Sequence, residues 1–455
     1  MTPNRLNYAE SVAALESRGR FGIRLGLART RALLAGLGHP EHAFRGALIA
    51  GTNGKGSVLA LAASALTAAG YRVGETPKPH LVTYRERLRI GGVPVDPGTF
   101  ARLATEVLAL ANRVSRRHGD PTEFELLTAM TFVWFAEAGI DLAVVEVGLG
   151  GRLDATHAWD GGVAAVTNVT LDHTDRLGAT VEAIAREKAA IIMRGDRAVT
   201  GAWGPALEIV ERRSRRVAAP LIVAPPAPLL AIDRDGIDVR LERLGRVRVG
   251  LRGRHQAANV AVADAVLDAL ESAGIAAVPA EARRAGYAAV HWPGRLELFE
   301  SGGREILLDG AHNPAGAATL AEALDEMAPF LRPGRPTLVL AIMADKDVDG
   351  VIGALAASKF LRTARVICTA PAGGRALPAD RLAARWGVAG RPAEAVSEPA
   401  AALDAALSPG PAAGGGSGLV VVAGSLYLVG AARAILVSDP LLVPDPPIPH
   451  PEVAP

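Results

Sequence analysis

The stretch Ala47-Leu-Ile-Ala-Gly-Thr-Asn-Gly-Lys-Gly-Ser57 limits what this chain can fold into more than any other. Four apolar residues run into a loop carrying Gly51, Gly54, Gly56, Lys55 and Ser57, and Val58–Ala69 follows as an Ala- and Leu-rich helical segment. Strand, glycine loop and helix, in that order, are the context of a phosphate-binding loop. Glycines let backbone N–H groups curl around an anion, and the helix N-terminus adds positive potential. Lys55 is placed to reach outer phosphates, and the Ser57 hydroxyl suits Mg2+. Gly56 stands between them, whereas the commonest form of the loop puts the hydroxyl residue directly after the lysine.

Other stretches carry chemistry of the same kind. Asp141-Leu-Ala-Val-Val-Glu-Val reads as an apolar strand with Glu146 near its carboxyl end. A carboxylate there is costly unless it is paired or binds a metal, and such strand ends face the ligand crevice of open α/β sheets. We read Glu146 as a Mg2+ ligand, with an arginine partner as the structural alternative. Val163–Asn168 is a further strand, and Asp172-His173 follows it, an imidazole–carboxylate pair suited to a divalent ion. Thr180–Ile192 has helical spacing that puts Val181, Ile184, Lys188 and Ile191 on one face. A lysine among apolar neighbours needs a partner or must snorkel to solvent. Thr122 with Glu125 three residues on is a capping box opening a helix that continues to Gly139.

With 455 residues, two or three domains are expected. Thr337–Ile342, Ala364–Cys368 and Gly418–Ala423 read as strands separated by helical stretches, a second α/β unit. Leu229–Arg252 alternates apolar and charged residues, as antiparallel hairpins do. The expected fold is α/β: a phosphate-loop ATPase domain over residues 1–294, a smaller Rossmann-like domain over 295–438, and a Pro-rich, disordered tail over 439–455. A net charge of +2 argues against a nucleic-acid partner. Cys368 is the one cysteine, in keeping with a reducing compartment. Neither a signal-peptide core nor a membrane-length apolar run is present, so a cytoplasmic location with no membrane partner is expected.

Gly-Thr-Asn-Gly-Lys-Gly-Ser is also the form used by the Mur ligase superfamily. Within it the chain resembles the folylpolyglutamate synthase and dihydrofolate synthase family, with matching motifs from Leu25 to Tyr427. The resemblance implies a Mur ligase-like fold and an ATP-dependent ligase that adds L-glutamate to dihydropteroate and to the glutamyl tail of reduced folates through an acyl phosphate. ATP and Mg2+ are the implied cofactors, the other partners are small molecules, and a monomer is expected. It implies catalytic roles for Lys55, Glu146, His173 and a carbamylated Lys188, with Ser57, Glu146 and His173 on the metal. Gly54, Lys55, Gly56, Ser57, Asn259, Arg295 and Asp309 would bind ATP. Gly26, Leu27, Ala28, Arg29, Thr122, Glu123, Phe124, Glu125, Leu153, Asp154 and Ala155 would border the pterin, and Arg87, His312 and Ser425 the glutamate. For Gly26–Arg29 and Thr122–Glu125, plain helix-start roles explain the residues equally well.

One position departs from the family pattern. Its mobile loop is usually written Ser-Pro-His-Leu, and here Lys78 replaces the serine that helps hold Mg2+. An ammonium cannot ligate a metal. Water, Thr76 or Ser57 then fills the coordination, or Lys78 meets a phosphate directly. The other readings are a different Mur-type ligase, a specialist for one of the two folate reactions, and an ATP-binding regulatory protein, for which Lys78 is the only support.

Overall fold

The computed structural model describes residues 5–19, 24–371, 376–408 and 417–446. Its chain falls into two compact units, Met1–Pro226 with Ala261–Gly286 and Leu441–Pro455, and Ala227–Val260 with Tyr287–Pro440. Both are α/β, as expected.

The first unit is built on an eight-stranded sheet in the order Val93–Pro94, Arg89–Ile90, Val73–Thr76, Leu142–Glu146, Arg45–Ala50, Gly162–Val166, Arg197–Thr200, Leu221–Val223. From Val73–Thr76 onward all pairings are parallel, while the two short edge strands run antiparallel. The central strands are buried along nearly their whole length, which is why they read as continuous apolar runs rather than alternating ones. The phosphate-loop strand lies at the centre. Its register sets Ile49 opposite Glu146 and Ala50 opposite Val166, so one rim of the sheet carries the loop and Glu146 side by side.

Local signals fix the flanking helices. Pro97–His118 starts at Asp96, whose Oδ1 accepts from Thr99 N at 2.9 Å. Glu123–Ala138 starts at the Thr122 capping box and stops at Gly139, which takes the left-handed conformation. Phe44, Phe132, Phe135 and Trp159 pack beneath the sheet, with the Phe44 ring centroid 5.6–5.8 Å from the other three. Val181–Ala189 is shorter than the helix expected over Thr180–Ile192. After Lys188 the chain tightens into i→i+3 turns, Ile191 N to Lys188 O and Ile192 N to Ala189 O.

The second unit has a six-stranded sheet ordered Glu297–Ser301, Arg304–Leu308, Ser417–Ala423, Arg335–Leu340, Arg365–Cys368, Glu394–Ala395, parallel except for its first pair. The hairpins expected over Leu229–Arg252 form a separate three-stranded antiparallel sheet. That sheet groups with the second unit and not with residues 1–226. Polar contacts explain this: Arg234 pairs with Glu305, and Arg252 Nη1 donates to Leu296 O at 3.2 Å.

The chain end also differs from the expected disordered tail. Asp439 pairs with Arg433 at 2.9 Å. Asp445 accepts from Thr83 Oγ1 at 2.6 Å, from Tyr84 N at 2.9 Å and from the Tyr8 hydroxyl. Three donors on one carboxylate hold this segment as far as Pro446; residues 447–455 lie outside the described residues. Among the described residues, no helix is long and apolar enough to cross a membrane.

Candidate active site

The phosphate loop is fastened from the neighbouring strand end. Asn53 N donates to Asn168 Oδ1 at 2.9 Å, Thr167 Oγ1 to Asn53 O at 2.7 Å, and Thr52 N to Asn168 O at 2.9 Å. The approach is so close that a Cβ on Gly51, at φ 151°, would sit 1.9 Å from Thr167 Oγ1. Gly54, left-handed at φ 82°, turns the chain into the Lys55–Ala68 helix. Having no side chain, Gly54 cannot cap that helix, whose first-turn N–H groups are available to an anion. Gly56 and the buried Ser57 lie in this first turn.

Two lysines converge on one carbonyl. Lys55 Nζ donates to Gly51 O at 3.2 Å and to Thr52 O at 3.0 Å, and Lys188 Nζ donates to Gly51 O at 2.8 Å. Lys188 is therefore not snorkelling; it points inward and is buried. Burial, then the neighbouring Lys55 charge, pushes its pKa down to about 7, against the opposing pull of Asp172 and Asp154. The Gly150-Gly151-Arg152 turn braces its helix. Arg152 N donates to Glu187 O at 3.0 Å, and a Cβ on Gly151 would come 2.7 Å from that same oxygen.

Glu146 is buried at its strand end, with Lys55 Nζ 4.0 Å from its Oε1. Its Oε2 accepts from Lys78 N at 2.9 Å, and Lys78 Nζ turns back onto Glu146 O at 2.9 Å, 4.3 Å from the centroid of the Phe124 ring. Burial drives the Lys78 pKa down to about 8, with Asp154 and Glu146 opposing that fall. His173 takes a left-handed conformation at φ 50°, its Nε2 3.8 Å from Asp172 Oδ1. Ser57, Glu146 and His173 offer a hydroxyl, a carboxylate and an imidazole. A buried carboxylate in an otherwise apolar strand is the feature that fits a divalent cation best.

The residues expected around a pterin gather in the same unit. Arg29 Nε donates to both carboxylate oxygens of Glu125 at 2.9 and 3.0 Å, and Glu125 Oε2 accepts from Thr122 N at 2.8 Å. Gly26 N donates to Leu153 O at 3.3 Å, which ties Gly26–Arg29 to Leu153–Ala155. Leu27 precedes the helix that Ala28 and Arg29 begin. Burial, and after it the nearby Glu123 carboxylate, raises the Tyr84 pKa. Asp154 is occupied by its own turn: it accepts from Gly148 N, Leu149 N, Thr156 N and Thr156 Oγ1 at 2.5–3.0 Å. Arg87 Nε donates to His80 Nδ1 at 2.9 Å, and burial, then the Arg87 charge, holds that imidazole well below its ordinary pKa.

The second unit gathers a second group. Asn259 Nδ2 donates to Gln256 Oε1 at 2.8 Å, and Gln256 Nε2 meets His255 Nε2 at 3.0 Å. Burial, then the nearby Arg295 charge, lowers the His255 pKa to about 4. Asp309 is raised by burial, with Arg295 opposing, and accepts from Leu296 N and Ala311 N at 2.9 Å. Asn259, Arg295 and Asp309 are thus linked through Gln256 and His255, which the sequence had not singled out. His312 Nδ1 lies 2.8 Å from Gly310 O. Ser425 caps the Leu426–Leu436 helix, its Oγ accepting from Tyr427 N at 3.2 Å.

Sequence reasoning also missed Phe124 as the platform under Lys78 and Asp154 as an organiser of a turn. A short polar residue after Gly-Gly-Arg-Leu was the signal for the second; nothing local signals the first.

Residues 49–201 match the Mur ligase middle domain, and residues 294–426 the Mur ligase glutamate ligase domain. A dihydrofolate synthase/folylpolyglutamate synthase of Bacillus subtilis is 34% identical over 355 residues, 76% of this chain and 82% of the relative. One from Mycobacterium tuberculosis is 36% identical over 451 residues, 91% of this chain and 90% of the relative. The solved Mycobacterium tuberculosis folylpolyglutamate synthase complexed with ADP superimposes with a TM-score of 0.83 at 33% identity, covering 95% of this chain and 100% of that one. An Escherichia coli enzyme solved with DHPP and ADP gives a TM-score of 0.79 at 28% identity, covering 94% and 98%. The chain belongs to the dihydrofolate synthase/folylpolyglutamate synthase family of Mur-type ligases.

Proposed function

We propose that this chain is an ATP-dependent ligase that joins L-glutamate to dihydropteroate and to the glutamyl tail of reduced folates, acting as a cytoplasmic monomer. The observation that carries the reading is the Lys55–Gly51–Lys188 convergence beside Glu146, on the rim where the phosphate loop enters its helix. The relatives support the choice of substrates.

ATP lies along the Gly51–Ser57 loop, with the first-turn N–H groups and Lys55 against its phosphates. Ser57, Glu146 and His173 would hold Mg2+, which when bound would neutralise phosphate charge. The substrate carboxylate oxygen attacks the γ-phosphorus and ADP leaves. Lys55 stabilises the charge that develops during this transfer. The glutamate amine then attacks the acyl carbon of the acyl phosphate, and inorganic phosphate departs with the carboxylate oxygen. Gly26–Arg29, Thr122–Glu125 and Leu153–Ala155 border the pterin. By the family resemblance, Asn259, Arg295 and Asp309 are assigned to the nucleotide, and Arg87, His312 and Ser425 to the glutamate.

Lys188 is carbamylated in this reading. A pKa of about 7 leaves a large neutral fraction at physiological pH. The neutral amine adds to the carbon of CO2 and loses a proton, so a buried cation becomes an anion beside Lys55. Lys78 stands where the family places a serine. Its ammonium is held by Glu146 O and Phe124.

The acyl phosphate is tested with dihydropteroate labelled with 18O in its carboxylate. One label must appear in inorganic phosphate for each amide formed. Phosphate free of label, with amide accumulating, rejects this route.

A further inference from the structure

A second group of metal-ligating side chains lies away from the phosphate loop. His39-Pro-Glu-His42 forms a tight turn, Pro40–His42, between the Ala28–Gly36 helix and the Arg45–Ala50 strand. His39 Nδ1 lies 3.0 Å from Glu41 Oε1, and His42 Nε2 lies 3.7 Å from the same oxygen. One ligand atom from each of the three residues lies within 4.8 Å of the other two. Zinc binds nitrogen and oxygen donors at about 2.0–2.2 Å, so neighbouring ligands of a tetrahedral ion stand roughly 3.3–3.6 Å apart. The two separations bracket that edge. Among the described residues, no other group of three His, Cys, Asp or Glu residues meets this spacing.

The state of Glu41 points to a cation. Its side chain is 7% exposed, and its Oε2 is buried without a hydrogen-bond partner. Among the described residues, the ion-pair partners of this carboxylate are the two imidazoles, with no arginine or lysine among them. An ionised carboxylate in that setting is costly unless positive charge compensates it. A neutral imidazole brings a lone pair but no charge; a divalent ion bound to all three supplies the charge.

The rings are nearly in place. His39 takes the left-handed conformation at φ 60°, uncommon for a residue with a side chain. The two imidazoles lie parallel, 5.0 Å apart. Parallel rings do not yet aim both lone pairs at one point. With side chains 50% and 74% exposed, both have room to tilt, while the buried Glu41 stays fixed in a turn packed against the Glu123–Ala138 helix. The cluster sits at the amino end of the strand whose carboxyl end carries the phosphate loop. Six residues at ~3.3 Å each separate the two, so the cluster is no part of the nucleotide site.

We propose that His39 Nδ1, Glu41 and His42 Nε2 bind one divalent transition-metal ion, with Zn2+ the best match, and that water completes its coordination. Two imidazoles and one carboxylate select Zn2+ over Mg2+ and Ca2+, which take oxygen donors. The ion fixes the connection that leads into the central strand.

The test uses the full chain, free of any histidine tag, stripped with EDTA and titrated with Zn2+ by calorimetry in excess Mg2+. The wild type is expected to bind one equivalent that E41Q and the H39A/H42A pair each weaken by at least about tenfold. Zn2+ is expected to raise the thermal unfolding midpoint of the wild type but not of E41Q. Should E41Q fail to fold, H42A alone, at an exposed position, carries the same comparison. Co2+ in place of Zn2+ is expected to give the visible absorption of a four-coordinate site, lost in H42A. No saturable wild-type binding, or equal affinity in wild type and variants, overturns the proposal.

Discussion

Lys55 and Lys188, far apart in sequence, donate to the same acceptor, the carbonyl of Gly51, at 3.2 and 2.8 Å. Burial, and after it the charge of Lys55, lowers the Lys188 pKa to about 7. Lys55 keeps contact with Glu146 at 4.0 Å.

This relationship fixes a pH dependence. Lys188 titrates near 7 in the folded chain and near 10.5 when unfolded. Between those values the unfolded chain binds more protons, so stability rises with pH across that window, by about 1.4 kcal/mol per pH unit at most. Below pH 7 both states are protonated and the penalty on the folded state is complete. Urea unfolding in CO2-free buffer at pH 7 and 9 should show the wild type gaining on K188M. A constant difference between the two would contradict the burial argument.

Lys55 is assigned to charge developing on the transferred phosphoryl group. K55A is expected to lower kcat by roughly 10²–10³-fold, with a much smaller change in the KM for glutamate. A KM effect alone would move Lys55 from transition-state stabilisation to ground-state binding.

Lys78 places a cation against Glu146 while its own backbone N–H holds the Glu146 carboxylate. K78S keeps the backbone bond and removes the charge. The concentration of Mg2+ giving half-maximal activity should fall by at least about threefold, because a like charge near the metal site is gone. An unchanged requirement would mean that Lys78 lies outside the reach of the metal.

Gly51 leaves no room for a side chain beside Thr167. G51A is expected to cost about 1–3 kcal/mol in urea unfolding and to weaken ADP binding. G51A/T167A, which removes the facing hydroxyl, should recover part of the stability. Failure of that rescue would show that backbone conformation, at φ 151°, and not the contact, sets the cost.

What the sequence disclosed follows the range of the interaction. The Gly51–Ser57 loop, the Thr122–Glu125 capping box and the buried strand bearing Glu146 are encoded within a few residues, and each is found where expected. Lys188 was legible as a charge on an apolar face, but its acceptor, 137 residues away, was not. The same holds for Lys78, whose partner Glu146 is 68 residues distant, and for Asp445, which closes on Thr83 across 362 residues. Composition made the chain end look like a tail because proline content says nothing of one well-placed carboxylate. Leu229–Arg252 was read correctly as hairpins but expected in the first domain, since alternation reports strands and not the body they pack on. His39-Pro-Glu-His42 was passed over although its spacing is local, because nothing in the spacing shows that Glu41 is buried against the two imidazoles.

The central claim is glutamate ligation driven by ATP, and it is met most directly by measuring phosphate release with Mg2+, ATP and L-glutamate, adding dihydropteroate or tetrahydrofolate in separate reactions and weighing the products. The account predicts release that requires glutamate and proceeds with either acceptor, each product heavier by glutamyl residues. ATP bound but not turned over with either acceptor, or phosphate released with no glutamylated product, would contradict it.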